Sequence, residues 1–161
     1  MRKNKELIKE IVSFIISTTI LCAAVNLTIG LNVVAGESMM PTLENGSLFV
    51  SFRLASNFER GDIVVVKSHA FKEHIVKRVI GLPGETIRIE GKDVYINDEL
   101  LEENYTQHVD GSSEEKFTQR PIEITLGEDE YFVIGDNRDR SSDSREIGPV
   151  TKKEIKGKKL L

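Results

Sequence analysis

From Ile11 to Gly36 the chain runs for 26 residues without an Asp, Glu, Lys, Arg or His. A helix on the surface of a water-soluble domain needs a polar face, so this stretch is excluded from that role. At 1.5 Å rise per residue it reaches about 39 Å as a helix, more than the roughly 30 Å of hydrocarbon in a bilayer. The expectation is a tilted, single-pass membrane anchor over 11–35, with Asn26 and Asn32 placing its outer third near the interface. Ahead of it, in a cytoplasmic segment over 1–10, Arg2, Lys3, Lys5 and Lys9 outnumber Glu6 and Glu10. The positive-inside rule therefore puts the N-terminus in the cytoplasm and everything after Gly36 outside. A cleaved secretory signal ending at Val33-Val34-Ala35 is the competing reading, although the apolar run exceeds the about 7–15 residues of such a segment. A lipoprotein signal would need a small residue before Cys22, where Leu21 stands. Cys22 is the single cysteine, so no intramolecular disulfide forms, and it reads as an apolar side chain that is buried or faces lipid.

At 161 residues the chain is one domain plus its anchor, with enough sequence after Gly36 for an ordinary core. Beyond the anchor region there are 18 basic against 24 acidic residues, which leaves no polycationic surface and excludes a nucleic-acid partner. The periodicity of 36–161 is two, with short β-branched runs between Gly, Asn and Asp punctuation, so this extracytoplasmic part is mainly β. Strands are expected over Ser47–Phe52, Asp62–Lys67, His74–Ile80, Glu85–Glu90, Val94–Asn97 and Glu130–Ile134. Gly91-Lys92-Asp93 joins the clearest hairpin. The segment 100–125 is more polar, contains a solvated loop at Asp110–Glu115, and reads as an insertion between strands.

A hydrolytic nucleophile needs a base, and His69, His74 and His108 all sit in turns, polar segments or strand starts where a surface histidine is the simpler reading. Lys77 is different. In Ile75-Val76-Lys77-Arg78-Val79-Ile80 each face of a strand carries one cation among β-branched neighbours. Burial would lower the lysine pKa toward neutrality and make it a general base. On an edge strand, Lys77 and Arg78 would instead snorkel to water. Ser38, in Gly36-Glu37-Ser38-Met39-Met40-Pro41-Thr42-Leu43, precedes a turn that Pro41 stiffens through its own φ and that of Met40. Such a turn can present a hydroxyl at a fixed angle beside backbone N–H groups. No metal or cofactor is expected, since three histidines without a cysteine cluster make weak ligands.

Four stretches together resemble the boxes of the type I signal peptidases, membrane-bound serine endopeptidases that use a lysine base to remove signal peptides. They are Ser38-Met39-Met40-Pro41-Thr42-Leu43, Arg60-Gly61-Asp62-Ile63-Val64-Val65, Val76-Lys77-Arg78-Val79-Ile80-Gly81, and Gly135-Asp136-Asn137-Arg138 running on to Ser141-Ser142-Asp143-Ser144-Arg145. Their order and spacing match over nearly the whole chain, through Gly148-Pro149. The resemblance implies a signal-peptidase-like β-sheet catalytic domain after one transmembrane helix, with Ser38 as nucleophile and Lys77 as base. It further implies a supporting role for Arg78, orientation of the lysine by Ser141, and a structural ion pair of Asp143 with Arg145 whose network Asp136 joins. Where the Gram-negative pattern has a serine two positions before the nucleophile, Gly36 stands here. The oxyanion hole would then rest on the Ser38 N–H and on the Gly36 backbone or a water, as in the Gram-positive branch. Met39 and Met40 would line shallow substrate pockets, and the accessory domain would be reduced to 100–125.

The implied setting is the outer face of the cytoplasmic membrane, with signal peptides of exported preproteins, the lipid bilayer and the export translocon as partners. Two other readings share part of this pattern. A self-cleaving regulator related to SOS repressors would share the chemistry, with Ala35-Gly36 resembling the cleaved bond, but no helix-turn-helix is present. A non-catalytic assembly factor would not need both Ser38 and Lys77.

Overall fold

The computed structural model describes residues 2–106 and 121–160. His108 and the Asp110–Glu115 loop lie outside them. Helix α1 spans Arg2–Thr28, and its stretch Lys5–Thr28, with mean hydropathy 2.0, is long and apolar enough to cross a membrane. Four polar side chains along it bond to the helix itself: Ser17 donates to the Phe14 carbonyl, Thr19 to Ile15, Asn26 to Cys22 and Thr28 to Ala24. Their hydroxyl and amide groups are thus satisfied without water, which hydrocarbon requires. The Cys22 thiol is exposed on this helix.

The helix ends seven residues earlier than the 11–35 anchor expected from sequence. Ile29–Val33 form strand β1, paired antiparallel with β2, Leu48–Phe52. The switch has a local cause. The Arg53 N–H donates to the Thr28 carbonyl at 2.8 Å and its guanidinium to the Asn26 carbonyl at 2.6 Å, closing the helix C-terminus with a cation. Gly30 then lets β1 pass under the same arginine, because a Cβ there would meet Ser51 Oγ at 2.6 Å and Arg53 Nε at 3.0 Å. An uncharged run is compatible with helix or strand, and pairing with β2 decides between them.

The remaining strands are β3 (Ile63–Ser68), β4 (Glu73–Gly81), β5 (Thr86–Glu90), β6 (Asp93–Ile96), β7 (Glu99–Leu100), β8 (Ile122–Thr125), β9 (Glu130–Ile134), β10 (Val150–Thr151) and β11 (Ile155–Lys159). A seven-stranded sheet has the order β1-β2-β11-β3-β4-β9-β10, and a four-stranded sheet the order β7-β6-β5-β8, all pairings antiparallel. The mainly β expectation and the β5–β6 hairpin therefore agree with the structure. The insertion reading of 100–125 is corrected at its end: Ile122–Thr125 is β8, in register with β5 through Ile87↔Ile124.

Alternation sorts the apolar side chains into cores. Val64, Val66, Ile75, Val79 and Val133 pack with Phe58 and Tyr131. Ile63 and Val65, the alternate positions of β3, pack with Val34, Met39, Leu43 and Phe49. A register shift between Val79 and Gly81 turns Ile80 toward Ile87, Phe132 and Ile134, in the core shared with the smaller sheet. The second of these cores matters most for function, because Met39 is fully buried in it and pins the residue after Ser38 against the sheet.

Candidate active site

Strand β4 lies between β3 and β9 in the interior of the larger sheet, so its cations have no edge from which to reach water. Lys77 is 4% exposed, and the edge-strand alternative is excluded. Its Nζ donates to Ser38 Oγ at 2.7 Å and to the carbonyl of Val76 at 3.1 Å. Burial lowers the pKa of this amine; Asp143, Glu73 and Asp136 pull it back up, and Arg145 pushes it further down. Desolvation is the largest of these effects, so the neutral amine that a general base needs becomes accessible at lower pH than for an ordinary lysine.

Ser38 is held by its own turn and by the Gly135–Arg138 segment. Met40 N–H donates to the Glu37 carbonyl at 3.2 Å and Leu43 N–H to the Met39 carbonyl at 2.8 Å, and the Met40–Pro41 peptide is cis. From the far end of the chain, Asn137 N–H donates to the Ser38 carbonyl at 3.0 Å. Ser38 N–H makes no hydrogen bond among the described residues. The Gly36 N–H, by contrast, donates to Asn45 Oδ1 at 2.9 Å. The expectation that the Gly36 backbone helps form an oxyanion hole is corrected on this point, because its donor is already used. Gly36 instead supplies a φ of +93°, which residues with a Cβ rarely adopt.

A cavity of about 330 Å³ opens beside the pair, lined by Val33–Met39, Phe71, Glu73–Lys77, Arg140 and Ser142. Met39 contributes to this wall. Met40, half-buried, does not, which corrects its placement in a substrate pocket. Glu37 and Arg140 form an ion pair at the cavity, and exposed His74 lines it, while His69 lies elsewhere against Glu154.

Three buried ion pairs, Asp143–Arg145, Asp136–Arg78 and Glu103–Arg138, stand behind the site. Asp143 accepts from Arg145 Nε at 2.7 Å and Nη2 at 2.8 Å, and its Oδ2 also takes the Gly135 N–H at 3.0 Å and the Ser141 hydroxyl at 2.5 Å. The expected Asp143–Arg145 pair is therefore formed. The Ser141 hydroxyl is given to Asp143 and no hydrogen bond joins it to Lys77, which corrects its expected orientation of the lysine. Asp136 does not touch the Asp143–Arg145 pair directly and is linked to it only through Arg78, Tyr105, Glu103 and Arg138, whose carbonyl accepts from Arg145 Nη2 at 3.0 Å. Asp136 instead receives Nε of Arg78 at 2.8 Å and its Nη2 at 2.6 Å, while Nη1 of the same arginine donates to the Gly61 carbonyl at 2.7 Å. The bidentate geometry ties β4 to the end of β9, the two elements that carry Lys77 and the Gly135–Arg138 segment.

Three residues without an assigned role in the sequence complete this support. Tyr105 lies with its ring 4.0 Å from the Arg78 guanidinium carbon and donates its hydroxyl to Glu103 Oε1 at 2.8 Å. Glu103 in turn holds buried Arg138 through both carboxylate oxygens, at 2.5 and 2.8 Å. Burial raises the Tyr105 pKa, as does the Glu103 carboxylate, so this phenol stays a donor. Nothing in the spacing of Glu103 and Tyr105 signals these contacts. Arg138 alone of the three lies inside one of the four family-like stretches.

Residues 5–161 match the family model described as signal peptidase, peptidase S26. The chain is 42% identical over 134 residues to signal peptidase I P of Bacillus subtilis subsp. natto, covering 78% of this chain and 71% of that one. It is 34% identical over 163 residues to signal peptidase I S of Bacillus subtilis strain 168, covering 96% and 88%. The crystal structure of a signal peptidase I from Enterococcus faecalis V583 superposes with a TM-score of 0.53 at 32% identity, over 65% of this chain and 97% of that chain. A matched family model, relatives of this identity and a shared fold lead to one assignment: the chain belongs to the signal peptidase family, peptidase S26.

Proposed function

We propose that this chain removes signal peptides from exported preproteins, with Ser38 as nucleophile and Lys77 as general base. The observation that carries the reading is the 2.7 Å contact between Lys77 Nζ and Ser38 Oγ at a buried amine. Neutral Lys77 takes the hydroxyl proton as Oγ attacks the carbonyl carbon, and the resulting oxyanion is received by the Ser38 N–H. The protonated lysine then gives its proton to the leaving amine. Water, deprotonated by the same lysine, hydrolyses the acyl-enzyme and frees Ser38.

The cavity supports a preference for small residues before the cut. Val34 and Met39 are buried, and with Val33, Ile75 and Val76 they form a shallow apolar wall beside the nucleophile. Such a pocket discriminates by about 1–3 kcal/mol per methylene. Helix α1 supplies the remaining selectivity by confining enzyme and signal peptide to one bilayer, which raises their effective concentration. The basic residues at the N-terminal end of α1, ahead of its uncharged run, favour the catalytic domain on the outer face of the cytoplasmic membrane, where substrate arrives from the export translocon.

The test is cleavage of a model preprotein by the detergent-solubilised chain beside Ser38→Ala. The wild type should release the signal peptide, and Ser38→Ala should lose at least about a thousandfold in rate while melting like the wild type. Processing by Ser38→Ala near the wild-type rate would remove Ser38 from the mechanism.

A further inference from the structure

Asn137 is 3% exposed and 100 residues away from Glu37, yet it holds both carbonyls that flank the Ser38 N–H. Its backbone N–H donates to the Ser38 carbonyl at 3.0 Å, and its side-chain Nδ2 donates to the Glu37 carbonyl at 3.1 Å. The second bond has a geometric consequence. The Glu37 carbonyl and the Ser38 N–H belong to one planar trans peptide and point in opposite directions. Fixing the oxygen therefore fixes the hydrogen. On the other side of the turn, Asn45 takes the Gly36 N–H at 2.9 Å, while the Ser38 N–H has no hydrogen-bond partner among the described residues.

The other half of the Asn137 amide points the same way. Its Oδ1 is buried without a hydrogen-bond partner. Rotating the amide would bring Oδ1 against the Glu37 oxygen, so the donor orientation is set by that carbonyl. A buried acceptor left unpaired works against stability, and such groups call for a specific reason to be retained.

Resting on the reading of Ser38 as nucleophile, we infer that Asn137 is a positioning residue that aims the Ser38 N–H at the oxyanion by anchoring the Glu37–Ser38 peptide. It touches neither substrate nor the reacting atoms. Its effect belongs to the transition state, where negative charge develops on the carbonyl oxygen, and not to substrate binding or to the lysine.

The experiment measures kcat, KM and the pH dependence of kcat/KM for Asn137→Ala and Asn137→Asp, with thermal melting and Ser38→Ala in the same series. Asn137→Asp keeps the shape but replaces the donor with an acceptor, so it removes the bond to the Glu37 carbonyl without opening a cavity. The inference expects kcat to fall about 10- to 100-fold in both variants per folded molecule. It also expects KM within about twofold of wild type in both and, in Asn137→Ala, which adds no charge near Lys77, an unmoved midpoint of the pH profile. It is overturned if either variant keeps kcat within about threefold, if the loss appears in KM, or if the loss tracks unfolded protein. Cleavage by Ser38→Ala would overturn the serine reading itself, a different result from an inactive Ser38→Ala beside active Asn137 variants.

Discussion

Gly135 packs directly against the nucleophile: a Cβ at this position would stand 2.5 Å from the Ser38 carbonyl oxygen and closer still to Ser141 Oγ. Both neighbours are constrained, the carbonyl by Asn137 and the hydroxyl by Asp143. Gly135→Ala should therefore displace the Ser38 turn, lowering stability by about 1–3 kcal/mol and cutting kcat more than tenfold. Urea denaturation and preprotein cleavage check the two effects. Wild-type activity in Gly135→Ala would mean that the turn yields without consequence.

Lysine chemistry fixes the sign of the pH dependence. The active base is neutral, so kcat/KM should rise with pH through the lowered pKa of Lys77 and level off on the alkaline side. Lys77→Arg should be inactive although it keeps the charge, since a guanidinium stays protonated. Replacing His69, His74 and His108 together should leave the profile in place. An active Lys77→Arg, or loss of the alkaline plateau in the histidine variant, would argue for another base.

The same amine contributes to stability with a defined sign. Because the folded pKa lies below that of the unfolded chain, the unfolded state binds more protons between the two values, and the wild type gains stability as pH rises through that window. Relative to Lys77→Met, the wild type should therefore look least stable at neutral pH and recover toward about pH 10.4, the ordinary lysine value. Melting temperatures of the two proteins across pH 6–10 test this; a gap independent of pH would show that Lys77 is not held at a lowered pKa.

Arg78 and Asp136 are a buried bidentate pair, with the carboxylate fully shielded from solvent. Arg78→Met leaves that carboxylate without its partner and should cost about 3–5 kcal/mol, whereas Arg78→Met with Asp136→Leu should recover much of it. A double-mutant cycle by chemical denaturation measures the coupling. Equal losses in single and double variants would show that the pair adds nothing beyond packing.

Orientation rests on Arg2, Lys3, Lys5 and Lys9, which lie at the N-terminal end of helix α1 ahead of its uncharged run from Ile11. Protease added outside intact protoplasts should digest the β domain after Gly36. Protection of that domain until lysis would reverse the topology. A mature N-terminus at Gly36 would instead indicate a cleaved signal.

Local pattern determined a great deal by itself. An uncharged run must leave water, and alternation with turn residues marks β2 to β6 and β9 within one or two residues. Motif spacing singled out Ser38 and Lys77, which the fold brings to 2.7 Å. What the sequence left open depends on groups far apart along the chain. Thr28 ends the helix because Arg53 caps it and β2 pairs with Ile29–Val33. Lys77 is buried because β4 is flanked by β9, more than fifty residues later, and not because of its own neighbours in sequence. Asp136 pairs with Arg78 and not with Arg145, and Asn137 reaches back 100 residues to the peptide before Ser38. Side-chain periodicity reports which face a residue occupies, but a hydrogen-bond partner is chosen by distance and direction in three dimensions, and those exist only once the sheet has closed.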